Sequence, residues 1–222
     1  TISHCDWSSD VCSSDLVNAT RPFESFSVDF KGPLSMAKGT GNQYILTVVD
    51  VYSRFPWAYP TRDQSAESVI ECLSDIFAVG GAPQNIHSDQ GASFLSEKVK
   101  KFLEDYNVTS SRTTPYNPRG NGQCEHTNGT IWSAVQTQMV DKKLSDGMWE
   151  SVLPEALNSI RSLVCRTTGM TPHDLLFNFK RNTSSCLPNR MPEWIRKPGP
   201  VLLRNFTRSS KKDPKVLDVE LL

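Results

Sequence analysis

Three carboxylates stand where acid serves no evident packing purpose. Asp29 lies inside the apolar word FSVDFKG (26–32), Asp89 closes QNIHSD (84–89), and Glu125 falls in the first turn of a long helical segment. Fifty-nine residues separate the first pair and thirty-five the second. Singly, each has a plain structural explanation. Asp89 could cap the following helix, Glu125 suits the positive end of a helix macrodipole, and Asp29 could pair with Lys31 or Arg54. Together they would repel at neutral pH, and one would take up a proton unless a cation intervened. Carboxylate oxygens suit Mg²⁺ or Mn²⁺, with water and substrate phosphate completing the coordination. Two such ions ~3.5–4 Å apart can stabilise both the attacking and the leaving oxygen of a displacement at phosphorus. The chemistry to expect, if the three converge, is phosphoryl transfer.

Convergence depends on the elements that carry them. FSVDFKG alternates as a strand, and NQYILTVVDVYS (42–53) is the continuous apolar run of a strand covered on both faces. RFPWAYPT (54–61) follows as its hairpin partner, and Pro56 and Pro60 mark it as an edge. Ala66, Val69, Ile70, Leu73, Ile76 and Phe77 recur at helical spacing before Gly80-Gly81 ends the helix. QNIHSD is a short strand. Gly91, two residues after Asp89, leaves room around the carboxylate. Leu95, Val99, Phe102, Leu103 and Tyr106 mark a second helix, and VTSSRTT (108–114) a polar strand. PYNPRGNGQ (115–123) is rich in turn residues, and its composition predicts mobility. A long helix is predicted over 123–141, another from Trp149, and a turn with a short helix over 168–178. The order predicts an α/β layered fold with a mixed sheet.

Length allows one sizeable α/β domain plus an appendage. No run approaches the ~18 apolar residues of a membrane span, so no membrane partner is expected, and no signal-peptide pattern opens the chain. The six cysteines lie apart without a Cys-x-x-Cys pair, which argues against a zinc ribbon or disulfide scaffold and fits a reducing compartment. Five Asn-x-Ser/Thr sequons, one at Asn128, are read as chance. Net charge is zero but uneven. Residues 21–179 hold 14 basic and 17 acidic residues, whereas 180–222 hold 10 and 4, and a basic tail of this kind suits a polyanion. DWSSDVCSSDL (6–16) reads as the translation of a common sequencing adapter, so residues 1–20 are treated as an unreliable remnant.

Several words, in order, resemble the integrases of retroviruses and LTR retrotransposons, most closely the Gypsy type. Asp29, Asp89 and Glu125 match that family's Asp, Asp-35-Glu pattern. SVDFKGPL is similar to its first catalytic strand, VVDVYSRFPWAYPT to the hairpin that follows, and HSDQGASF to Ser-Asp-x-Gly-x-x-Phe. TTPYNPRGNGQCEHTN resembles Thr-x-Pro-Tyr-x-Pro-x-x-Asn-Gly-x-x-Glu-x-x-Asn, and TGMTPHDLLF the closing Thr-Gly-x-(Ser/Thr)-Pro motif. The likeness covers about residues 21–179, the expected catalytic core. Residues 180–222 are expected to be a basic linker and a partial C-terminal β domain, with strand words at 199–205 and 216–222. The family's N-terminal zinc-binding domain has no counterpart pattern here, so the chain is expected to be a fragment.

The resemblance implies an RNase H-like fold, a five-stranded mixed sheet flanked by helices. It implies two Mg²⁺ ions, replaceable by Mn²⁺, bridged by Asp29 with Asp89 on one and Glu125 on the other. The implied reaction is 3′-end processing of element DNA followed by strand transfer into target DNA. The implied partners are double-stranded DNA and further copies of the chain, in a dimer or higher multimer. The implied location is the nucleus, with a cytoplasmic phase in a polyprotein-derived particle. Candidate DNA contacts are Arg112, just before the turn-rich segment, Arg119, Asn121 and Gln123 within it, and Asn128 on Glu125's side of the helix. Many integrases carry basic residues just after the glutamate, whereas this chain has His126 and Gly129. Asp50, His87, Trp57 and Trp149 are read as structural. Two alternatives stay open: a domesticated or decayed copy that binds DNA without catalysis, and a transposase or metal nuclease of the same fold.

Overall fold

The computed structural model describes residues 19–112, 122–165 and 168–180, and the backbone of 199–204 and 216–221. The predicted strands at 199–205 and 216–222 appear as an antiparallel hairpin, Gly199–Arg204 (β6) with Val216–Leu221 (β7), in the compact unit Asn182–Leu222. The larger unit, Thr1–Arg181, carries the rest.

Its sheet has five strands in the order β3-β2-β1-β4-β5. Ser25–Lys31 (β1), Tyr44–Asp50 (β2) and Pro56–Thr61 (β3) form an antiparallel meander. Asn85–Ser88 (β4) and Thr109–Arg112 (β5) add in parallel, so the sheet is mixed. β3 is an edge strand, where Pro56 and Pro60 remove no ladder bond on the open side. Ala66–Gly80 (α1), Ala92–Leu95 (α2) and Glu97–Asp105 (α3) intervene, and Gly122–Asp141 (α4), Trp149–Ser162 (α5) and Pro172–Phe177 (α6) follow. None of the described helices is long and apolar enough to cross a membrane.

Strand alternation divides the interior in two. Phe26, Val28, Leu46 and Val48 pack against Val69, Leu73, Ile76, Val99 and Leu103 of α1 and α3. Ile45, on the opposite face, packs with Ile131 and Val135 of α4 and Trp149, Val152 and Leu153 of α5. Trp149 is fully buried and donates its indole N–H to the Ser35 carbonyl at 2.7 Å, and Trp57 packs among Phe23, Phe26 and Phe55. The second predicted helix is split. Leu95 ends the short α2 and is exposed, and Tyr106 caps α3 and is half-exposed, because only Val99 and Leu103 sit on the inward stripe.

Asp50 ends β2 fully buried. Its carboxylate accepts from the Phe23 and Ser53 backbone N–H groups at 2.9 and 2.7 Å and from the Ser53 hydroxyl at 2.5 Å. This is a tether for the β2–β3 turn. His87 is likewise buried, its Nδ1 3.0 Å from the Ser111 hydroxyl. Replacing Asp50 with Ala strands buried donors and should destabilise the fold by about 2–4 kcal/mol in urea titrations. The surviving folded fraction should keep full affinity for divalent cations.

Candidate active site

β1 and β4 pair in parallel with partners sixty residues apart, from Ser25↔Asn85 to Val28↔Ser88. Carried one residue further, that register sets Asp89 beside Asp29 at the strand ends. Asp89 does not cap α2, whose first residue follows Gly91 without a side-chain cap. Its Oδ1 accepts the Gly91 N–H at 2.9 Å, a local turn that aims the carboxylate. A Cβ on Gly91 would stand 3.0 Å from that oxygen, so any side chain there presses on Asp89.

Glu125 arrives on α4, whose inward stripe is Cys124, Asn128, Ile131, Val135 and Met139. Cys124 is buried, with Sγ 3.6 and 3.7 Å from the Ser27 and Thr47 carbonyls, and so wedges the start of α4 onto β1 and β2 directly before Glu125. Asn128 is only 5% exposed and donates its Nδ2 to Asp29 Oδ2 at 2.9 Å. Asp29 Oδ1 accepts from the Phe30 N–H at 2.9 Å, and among the ion pairs of the described residues neither Lys31 nor Arg54 meets it.

Asp29 forms the wall common to two clefts. One, of about 480 Å³, is shared with Glu125, Asn128 and Trp132. The other, of about 420 Å³, is shared with Asp89, Gly91 and Ser93. Burial, then the charge of Asp89 and less strongly that of Glu125, lift the Asp29 carboxyl from an ordinary 3.8 to about 6, against the pull of its two hydrogen bonds. A carboxylate so placed is one for which a cation is the missing partner.

The residues present fit Mg²⁺ or Mn²⁺ taken two carboxylates at a time. Among the described residues no trio of His, Cys, Asp and Glu is gathered closely enough to hold a single ion. Asp29 with Asp89, and Asp29 with Glu125, each offer the small set of hard oxygens that Mg²⁺ takes from protein while water and phosphate supply the rest. Asn128 Oδ1, buried and without a partner among the described residues, adds an acceptor at the same wall.

The other expected contacts lie elsewhere. Arg112 is half-buried on the α1/α3 side of the sheet, sharing a small internal cavity with Val28, Leu73 and Phe94. Gln123 lines a separate, largely apolar cleft with Arg54, Leu163 and Val164. Arg119 and Asn121 fall outside the described residues. Asn128, expected at a DNA surface, is instead committed to Asp29. The sequence reading missed that bond, whose signals were a helical spacing of three from Glu125 and the asparagine that closes the Glu-x-x-Asn motif.

Residues 19–118 match the integrase core domain family. That span holds Asp29 and Asp89, while Glu125 lies just beyond it. The chain is 28% identical over 194 residues to the Pro-Pol polyprotein of feline foamy virus, covering 87% of this chain and 16% of the viral protein. It is 32% identical over 165 residues to the Gag-Pol polyprotein of avian reticuloendotheliosis virus, covering 74% of this chain and 14% of that one. The chain thus spans about a sixth or less of these curated relatives. The HTLV-2 integrase catalytic core domain in complex with magnesium superposes with a TM-score of 0.58 at 20% identity, covering 71% of this chain and 99% of that domain. The fold is the RNase H-like fold of integrase catalytic cores.

A raised carboxyl pKa has a stability consequence of definite sign. The folded state holds the Asp29 proton through about pH 4 to 6 while the unfolded state releases it, so metal-free stability falls as pH rises through that window. Asp29→Asn should therefore stabilise the metal-free protein above pH 7, by on the order of 1–2 kcal/mol after allowing for partial solvent screening. The advantage should vanish near pH 4. Thermal melts of both proteins across this range provide the check.

Proposed function

We propose that this chain carries the catalytic core of an integrase that joins DNA ends to target DNA by two-metal phosphoryl transfer. The observation that carries the reading is Asp29 as the shared wall of two clefts, with Asp89 in one and Glu125 in the other. Likeness to retroviral Pol polyproteins over most of the chain supports the class. The Gypsy-type LTR retrotransposon as source rests on the wording of the sequence motifs.

Bound at the two carboxylate pairs, Mg²⁺ ions would supply Lewis-acid stabilisation of the attacking and leaving oxygens. The chain's own part is positional. Asn128 and the Phe30 N–H fix the Asp29 rotamer, the Gly91 N–H fixes Asp89, and Cys124 sets the helix turn that presents Glu125. In the first step a water oxygen bonds to phosphorus near the DNA 3′ end, the bond to the departing 3′ oxygen breaks, and that oxygen takes up the proton the water loses. In the second the freed 3′-hydroxyl attacks a target phosphodiester, and the target's 3′ oxygen leaves with the proton. Neither step needs a covalent enzyme intermediate. On this reading the protein works as a multimer on double-stranded DNA in the nucleus, after a cytoplasmic phase as part of a polyprotein-derived particle.

Reversal of strand transfer asks least of such a core. Given a branched DNA that mimics the joined product, with Mg²⁺ or Mn²⁺, the chain should restore the target duplex. Asp89→Asn and Glu125→Gln should each reduce the rate at least ~100-fold while folding normally. Folded, DNA-binding protein that leaves the branch intact would count against catalysis and favour a binding role.

A further inference from the structure

We propose that Lys31 is a phosphate-binding residue, holding the backbone of the DNA strand that lies over Asp29 and Glu125. The inference deepens the integrase reading and rests on it. A polyanion approaching this end of the sheet meets three carboxylates, and α4 offers nothing to offset them: no Lys or Arg occurs from Gly122 to Asp141. Strand β1 supplies the missing cation from across the cleft. Lys31 stands two residues beyond Asp29, so its side chain leaves the same face of the strand about 6–7 Å further along. It is half-buried and lines the cleft that Asp29, Glu125, Asn128 and Trp132 share.

Lys31 forms no ion pair among the described residues, although carboxylates line the same cleft. Asp29 is instead held by amide and backbone donors, which leaves the ammonium free for an anion from outside. The turn that follows keeps the strand end in place. A Cβ on Gly32, whose φ is +150°, would stand 2.4 Å from the Tyr44 ring, so the backbone there is pressed against β2 and cannot carry Lys31 away from the cleft. Opposite stands Trp132, half-buried and packed edge-on against Trp149 at 6.4 Å between ring centres. A cleft lined by carboxylates, an ammonium and an indole suits one nucleotide: phosphate on Lys31, and sugar or base resting on Trp132. A lysine here acts as a point charge, so its grip follows the backbone and carries no sequence information.

The test measures binding and turnover separately, on the full chain, with the branched DNA and Mg²⁺. Lys31→Met keeps the apolar stem and removes the charge, and Lys31→Arg keeps the charge. For Lys31→Met we expect about three- to tenfold weaker binding at low salt, equal across unrelated DNA sequences. The slope of log affinity against log salt should become shallower by about one, as for one lost phosphate contact. The rate at saturating DNA should change less than the KM, and Lys31→Arg should restore both affinity and slope. An unchanged slope for Lys31→Met overturns the proposal, as does a loss that Lys31→Arg fails to restore, which would mark a packing role. Wild-type protein that binds with the full slope yet never rejoins the branch would sink the catalytic reading alone, because the slope still decides the role of Lys31. If no form binds DNA, both fall.

Discussion

Mutual repulsion between carboxylates at the ends of two adjacent parallel strands is the constraint around which this structure is organised. The β1–β4 register, carried one residue past Val28↔Ser88, sets Asp29 and Asp89 side by side, and α4 then adds Glu125 to the same end of the sheet. A fold selected only for stability would place a lysine or an apolar side chain at one of these positions. Here the central carboxylate is half-buried and held by an amide and a backbone N–H, which orient it and offset only part of its cost. Such an arrangement stores unfavourable electrostatics that a cation relieves.

Two separate cores make the arrangement rigid enough to hold. One locks α1 and α3 to the sheet face that carries Phe26 and Val28, and so fixes the β1 and β4 ends from below. The other locks α4 and α5 to the opposite face through Ile131, Val135 and Trp149, and so fixes the reach of Glu125. Two residues of α4 couple it to the strands that carry the acids: Asn128 bonds Asp29 directly, and the Cys124 sulfur touches the Ser27 and Thr47 carbonyls of β1 and β2. On the proposed reading, the split of the site into two clefts with a common wall is what allows one carboxylate to serve two ions.

Much of this was legible in the sequence, and the parts that were not share a cause. The succession of strands and helices along the chain followed from apolar periodicity and turn residues, and the edge position of β3 from Pro56 and Pro60, whereas the order of strands across the sheet did not. Asp29 and Asp89 stood out because acid interrupts or ends otherwise apolar strand words. Asp50 met the same description and proved to be a tether, a difference visible only once Phe23 and Ser53 were seen to donate to it. The face on which Arg112 projects could not be read from Thr109-Ser110-Ser111-Arg112, since a uniformly polar strand has no alternation to reveal its register. Gln123 sits near Glu125 in sequence but about 200° around the helix from it, and so lines a different cleft. The role of Asn128 depends on a single 2.9 Å bond between elements ninety-nine residues apart, which no local pattern encodes.

The measurement that bears most directly on the shared-carboxylate account is anomalous diffraction from crystals of the chain bound to branched DNA in the presence of Mn²⁺. The account predicts two manganese peaks ~3.5–4 Å apart, both within bonding distance of Asp29, one also touching Asp89 and the other Glu125. A single peak that leaves Asp29 unliganded, or two that do not share it, would contradict the account.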